Sequence, residues 1–273
     1  MSLEFVAAQL AELELVDLTL TLDEGLPGSW PGTKPYRHEI ENYYVPVGAD
    51  GRRYPSAGPF YACWMTLHEH VATHFDAPAH FTPPPGSGIE GESEIGTVFG
   101  DLADVRWLQG PAAVIDARED ESGVGGVSPA IEEADIRGWE AMHGELQAGE
   151  VVLLRTGWDR YYRADDEGLR YVHRPLVSKD APGWPAPDAG AVAYLAERGI
   201  RAVGTDAPSI APAQEAVSTH RAGLGRGLLY IEGLGSLDRL PVRGAFFLFL
   251  PIKVARSSGA PGRAVAWLPA PTP

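Results

Sequence analysis

Four of the chain's eight histidines fall within His68-Glu69-His70-Val71-Ala72-Thr73-His74-Phe75-Asp76-Ala77-Pro78-Ala79-His80-Phe81, and an aspartate follows the third of them by two positions. Neutral imidazoles and carboxylates are ligands that first-row divalent ions such as zinc and manganese accept. The first chemistry this stretch suggests is therefore metal binding. Its spacing limits the geometry. On a helix His70 and His74 would share a face, but Asp76 would point elsewhere, and Pro78 would clash with the carbonyl of residue 74 and bias Ala77 toward extended backbone. A flat strand puts His70, His74 and Asp76 on one face yet spreads the outer two over roughly 20 Å at about 3.3 Å per residue. One ion cannot be reached that way. The expectation is a strand that arrives at residues 67–70 and breaks into a tight turn, folding His70, His74 and Asp76 around one point with His80 just beyond.

A second group of candidates lies far along the chain. Gly204-Thr205-Asp206-Ala207-Pro208-Ser209 reads as a polar turn, and His220 and Glu232 follow it, twelve residues apart. Glu232 ends the apolar run Leu228-Leu229-Tyr230-Ile231, and a charge at the end of a buried strand either reaches solvent or has a partner. Residue types alone leave both open.

The spacing His70-x-x-x-His74-x-Asp76-x-Pro78-x-His80 resembles the H-x-G-T-H-x-D-x-P-x-H signature of the cyclase-like metal-dependent hydrolases, which include bacterial kynurenine formamidases, isatin hydrolases and trans-dienelactone hydrolases. The chain departs from it at Ala72, where glycine is usual and φ > 0 is one reason for a glycine. The pair His220 and Glu232, followed by Gly233-Leu234, resembles a second motif of the same family, so the similarity spans most of residues 14–254. It implies that His70, His74 and Asp76 are metal ligands and that His220 and Glu232 complete a second metal position. It implies that His80 transfers protons, with Glu232 also taking part in catalysis, and that Asp206 orients an imidazole from behind without binding the ion. His68 is outside the signature and reads as a structural histidine. The implied fold is a single α/β domain over residues 1–273, of the swivelling β/β/α type, with a mixed sheet and flanking helices.

The implied cofactor is a divalent metal, zinc or manganese, as one or two ions. Such an ion acidifies water from a pKa of ~15.7 to about 7 and polarises a carbonyl. Hydrolysis follows: opening of a small cyclic amide or ester, a lactam or lactone, with His80 moving the proton. Arylformamidase activity on an N-formyl substrate is the alternative, and a non-catalytic metal-dependent binding protein is the rival from another class. A covalent acyl-enzyme is disfavoured by the single cysteine and the lack of a G-x-S-x-G elbow.

Elements must hold these residues in place. Residues 16–22 alternate apolar and polar and predict a strand ending at Asp23-Glu24-Gly25. Residues 27–36 read as a loop, whose Trp30 is either a wall of the substrate pocket or a plug on the core. A further loop covers 45–59. Residues 60–67 predict the strand that delivers the metal motif, and 82–100 a loop rich in proline and glycine. Residues 112–117 and 150–156 predict buried strands, Ser128-Pro129 a helix start, and 161–187 a long polar loop. Pro187-Asp188 opens a helix through Glu197, closed by Gly199, ahead of a strand at 200–204. This alternation predicts a mixed α/β sheet.

Composition sets the outer limits. The 273 residues carry 22 Lys plus Arg against 37 Asp plus Glu, a formal net charge of −15, which repels phosphate backbones and argues against a nucleic-acid partner. The expected partner is a small molecule. Cys63 alone cannot form an intrachain disulfide and suits a reducing cytoplasm. Residues 1–15 lack the basic start of a secretory leader and read as a short amphipathic helix, a candidate docking element in a homodimer or homotetramer. The apolar run at 245–251 is too short to span a membrane.

Overall fold

The computed structural model describes residues 2–118 and 123–269. Its strands are β1 Leu13–Asp17, β2 Arg37–Asn42, β3 Ala62–Thr66, β4 His74–Asp76, β5 Gln109–Asp116, β6 Ala130–Ile131, β7 Val151–Arg155, β8 Ala186–Pro187, β9 Ala202–Thr205, β10 Leu229–Glu232, β11 Phe246–Pro251 and β12 Gly259–Pro269. The α-helices are α1 Leu3–Ala11, α2 Glu133–His143, α3 Ala189–Glu197 and α4 Val217–Leu224.

Four of these strands, β5, β7, β9 and β10, run parallel and read as near-continuous apolar segments because both their faces are covered. The sheet continues antiparallel through β11 and β12, and the start of β12 pairs with β4, which in turn pairs with β10. The mixed sheet thus closes on itself, with β1 attached outside the ring along β12. Alternate residues divide two cores. Ala112, Val114, Val151, Leu153, Leu229, Ile231, Phe75 and Phe247 fill the interior, while Ala113, Ile115, Val152, Leu154, Val203 and Tyr230 pack outward against Ile136 and Trp139 of α2, Val192 and Leu195 of α3 and Leu224 of α4. This is an α/β fold in which filled interior positions make the ring a packed core.

Several expected elements are displaced for identifiable reasons. The first strand starts at Leu13, earlier than residue 16, because Leu13 to Asp17 register with Pro269 to Val265 of β12. The strand expected at 60–67 forms as β3, but among the described residues it pairs only with β2 in a separate two-stranded ribbon, so it leads toward the metal motif from outside the main sheet. Ser128 does not begin a helix. Its hydroxyl accepts the Ala213 N–H at 2.9 Å, residues 130–131 pair with 186–187, and the helix starts at Glu133 behind a capping box of Glu132 and Asp135. The expected loop at 161–187 contains short helical turns at Asp166–Arg170 and Arg174–Ser178 and buries Tyr171, Val172 and Trp184. The helix at 189–197 starts as read, with the Asp188 carboxylate accepting the Ala191 N–H at 2.7 Å and Gly199 at φ +80° after its end.

Candidate metal centre

The motif folds by a backbone reversal. After β3 the chain turns at residues 69–73, Ala72 takes a left-handed φ of +50°, and β4 begins at His74. The conformation that glycine adopts without strain is therefore needed here, and Ala72 adopts it. Thr73 secures the turn: its hydroxyl donates to the Gly233 carbonyl and accepts the Leu20 N–H at 2.8 Å. Gly233 itself has φ +65°, and a Cβ there would lie 2.3 Å from the Ala72 carbonyl oxygen, so the two motifs meet backbone to backbone.

Only three residues long, β4 is held on both edges. Asp76 stands opposite Tyr230 and Gly259, and His74 opposite Glu232 and Pro261. Phe75 points into the ring, so strand alternation turns His74, Asp76 and Glu232 to the outer face. There α4 supplies His220, whose ring stacks on Phe81 with centroids 4.2 Å apart. Pro78 to His80 make a turn of 3₁₀ helix that places His80 over His70, ring centroids 4.0 Å apart.

The hydrogen bonds dictate which nitrogens are bare. His74 Nδ1 donates to the Ala72 carbonyl at 2.9 Å and His220 Nδ1 to the Ala216 carbonyl at 2.7 Å, since a carbonyl can only accept. Their Nε2 atoms therefore present lone pairs. His74 Nε2 lies 3.5 Å from Asp76 Oδ1 and 3.4 Å from Glu232 Oε2, and His220 Nε2 lies 3.5 Å from both Asp76 Oδ2 and Glu232 Oε1. All four residues are buried, Asp76 completely. Among the described residues His74 Nε2 and Asp76 Oδ2 have no hydrogen-bond partner.

Two buried carboxylates facing imidazole lone pairs call for a cation. With protons as that cation, His74 and His220 are lifted to about 10: burial opposes the shift and is outweighed by Asp76 and Glu232. Glu232 is lowered to about 2 against burial and Asp76, through His220 and His74. Asp76 falls well below its usual range against burial, through His80 and His70. A divalent metal ion answers the same demand, and the nitrogen and oxygen donors suit one. Ligand atoms of His74, Asp76 and Glu232 lie within 4.8 Å of one another, as do those of His70, Asp76 and His80. Asp76 is common to both sets. His220 Nε2, 3.5 Å from each carboxylate, faces the first set. Two cation positions sharing Asp76 are thus geometrically available, and the pairing differs from the expected one, since His74 stands with Glu232, not with His70.

Above these groups opens a cavity of about 220 Å³ lined by His70, His74, His80, His220 and Glu232 together with Trp30 and Phe81. Trp30 lines this cavity and also contacts Trp184 edge to face, centroids 6.2 Å apart. His68 lines the cavity too and accepts the His70 N–H at 3.1 Å. Asp206 does not orient an imidazole. Its carboxylate accepts the Thr156 hydroxyl and N–H and the Gly157 N–H, holding the turn after β7. Three supporting residues carry no signal that finds them from sequence alone: Ser209 and Ile210, which donate to Glu232 Oε1, and Ser258, which contacts His70.

The closed mixed barrel thus carries a cluster of buried imidazoles and carboxylates on its outer face, under an aromatic-walled cavity. The chain belongs to the cyclase family, whose model, described as "Putative cyclase", matches residues 16–212. The isatin hydrolase of Roseibium aggregatum is 36% identical over 224 residues, covering 79% of this chain and 78% of that protein. The kynurenine formamidase of Erythrobacter litoralis is 28% identical over 255 residues, covering 91% of each. A crystal structure of an isatin hydrolase bound to the product analogue thioisatinate has a TM-score of 0.78 at 28% identity and covers 99% of this chain and 100% of its own. The chain is a hydrolase by these relationships, and among the described residues no helix is long and apolar enough to cross a membrane.

Proposed function

We propose that the protein opens a small neutral lactam or lactone with a divalent ion, zinc or manganese, held at the Asp76 cluster. The observation that carries this reading is the convergence of bare imidazole nitrogens on two buried carboxylates at the floor of the cavity. When bound, the ion polarises the substrate carbonyl and acidifies water. His74, Asp76, His220 and Glu232 would hold it, with His70 against the same Asp76 oxygen, Oδ1, that faces His74. Ser209 and Ile210 fix Glu232 Oε1, which directs Oε2 toward His74. His80 borders the cavity beside this group and is placed to take a proton from water and return it to the leaving nitrogen or oxygen. Trp30 and Phe81 give flat apolar walls that suit a planar ring.

Hydrolysis of an aryl formamide is the second reading, favoured by the kynurenine formamidase relatives. The cavity lining favours the cyclic substrate. No lysine or arginine is among the described residues that line it, so the α-carboxylate of an amino-acid substrate such as N-formylkynurenine finds no cation except the metal itself. The test is turnover of metal-loaded protein on isatin-type lactams, lactones, formanilide and N-formylkynurenine, with a chelated control. Neutral cyclic substrates are expected to lead by at least about tenfold in kcat/KM, a difference of about 1.4 kcal/mol in transition-state binding. Preference for N-formylkynurenine overturns the ranking, and inertness toward all of them with metal bound favours a non-catalytic binding protein. A homodimer or homotetramer accompanies the proposal, supported by the exposed Phe5, Leu10 and Leu15 at the N-terminal helix and strand. A monomer by light scattering counts against it.

A further inference from the structure

His70 differs from His74 and His220 in what holds the nitrogen remote from Asp76. Where the other two donate to main-chain carbonyls, His70 Nε2 lies 2.8 Å from the hydroxyl of Ser258, while Nδ1 lies 2.7 Å from Asp76 Oδ1. A hydroxyl both donates and accepts, so on its own Ser258 would leave the imidazole tautomer undetermined. Glu69 removes the ambiguity. Its Oε1 takes the Ser258 hydroxyl proton at 2.5 Å, and its Oε2 accepts the Ser258 N–H at 3.1 Å. With its proton committed to Glu69, the Ser258 oxygen can only accept and His70 Nε2 must donate, so Nδ1, turned to Asp76 at 2.7 Å, is the nitrogen left to share a cation with that carboxylate, a proton or a metal ion.

We infer that Glu69 and Ser258 form a positioning pair that fixes the tautomer of His70 and thereby makes Nδ1 available to a cation shared with Asp76. The inference rests on the metal reading of the Asp76 cluster. The pair is built into the fold: Ser258 lies immediately before β12, and a Cβ on the next residue, Gly259, would fall 2.6 Å from His70 Cε1 and 2.3 Å from the Phe75 carbonyl oxygen. Glu69 and Ser258 are 189 positions apart in sequence. Because His80 stacks on His70, the same pair also sets the ring against which His80 rests.

The isosteric variant Glu69→Gln gives a specific expectation. The Ser258 N–H still requires an oxygen acceptor, so the amide of glutamine turns its NH₂ toward the Ser258 hydroxyl and donates to it. The hydroxyl then donates to His70 Nε2, which must be bare to accept it, so the ring keeps its single proton at Nδ1 and that nitrogen is no longer open to a metal ion. Ser258→Ala removes the Nε2 partner without forcing the inversion. The experiment is competition titration of Mn²⁺ and Zn²⁺ against a chelator, together with nitrogen NMR of the histidine rings and thermal melting of the metal-free proteins.

Expected are a loss of about 10- to 100-fold in cation affinity for both variants, loss in Glu69→Gln of the His70 Nε2 proton that the unaltered protein carries, and metal-free melting within a few degrees of the unaltered protein. Ser258→Thr, which keeps the hydroxyl, is expected to keep most of the affinity. Unchanged cation affinity in Glu69→Gln with the unaltered protein binding metal overturns the pair alone, and so does an unchanged tautomer. Failure of the unaltered protein to bind either cation overturns the metal reading beneath it.

Discussion

Glu232 and His74 are direct partners across the antiparallel pair of β10 and β4, and Glu232 Oε2 comes within 3.4 Å of His74 Nε2. Register thus joins the end of one buried parallel strand to the middle of the histidine motif, 158 positions away by the difference of their numbers. Glu232→Gln keeps the shape but removes one of the two buried charges and brings an NH₂ donor toward the nitrogens meant for a cation. Cation affinity should fall at least about tenfold, an effect of about 1.4 kcal/mol. Metal titration checks this, and unchanged stoichiometry and affinity would confine the site to residues 70–80.

His80 tests the division between holding the ion and moving protons. The proposed role predicts that His80→Ala retains metal and loses about 10²- to 10⁴-fold in kcat. Ligand atoms of His80, His70 and Asp76 lie within 4.8 Å of one another, so the contrary outcome is well defined. Loss of metal in the variant would make His80 a ligand, and near-normal turnover would remove it from the chemistry.

The sequence made the site legible where its information was local. Four ligand-type residues within His70 to His80 excluded a straight helix or strand and required a reversal, and that reversal is present at Ala72. Caps were equally local: Asp188 and Gly199 bound α3 as their chemistry requires. Long-range competition was not legible. Ser128 has the residues of a helix start, but the Ala213 N–H claims its hydroxyl. Asp206 has the residue type of an imidazole orienter, but the main-chain donors at Thr156 and Gly157 claim it. Nothing near Ser258 in sequence indicates that it meets His70, because Glu69 and β12 bring them together only in the fold.

Ala72 provides a stability test. A left-handed conformation costs a non-glycine residue about 1–2 kcal/mol. Ala72→Gly relieves that strain but adds unfolded-state entropy of roughly 0.5–1 kcal/mol and loses a buried methyl worth about 0.8 kcal/mol. These nearly cancel, so the variant should lie within about 1 kcal/mol of the unaltered protein in urea unfolding. Ala72→Val, which puts a β-branched side chain at the same φ of +50°, should lose more than about 2 kcal/mol. A tolerated valine would show that the turn relaxes out of the left-handed region.

Asp206 gives the clearest pH dependence outside the metal cluster. Burial pushes its carboxyl up to about 7, and its hydrogen bonds from Thr156 and Gly157 offset this only in part. A folded value above the unfolded 3.8 means the native state binds the extra proton. Its stabilising contribution is therefore complete below about 3.8 and is lost as pH rises toward 7, by at most roughly 4 kcal/mol. His80 acts with the opposite sign in this window, because burial lowers it to about 4 and the unfolded chain binds its proton first. The difference between variant and unaltered protein isolates Asp206. Asp206→Asn cannot titrate, so its metal-free unfolding free energy should fall less, or rise more, between pH 4 and 6.5 than that of the unaltered protein. Its stability at pH 4 should be lower by about 1–3 kcal/mol, because its NH₂ opposes a main-chain N–H. Urea denaturation at three pH values in chelator measures both, and parallel pH profiles would show that Asp206 is ionised throughout, held by its three donors.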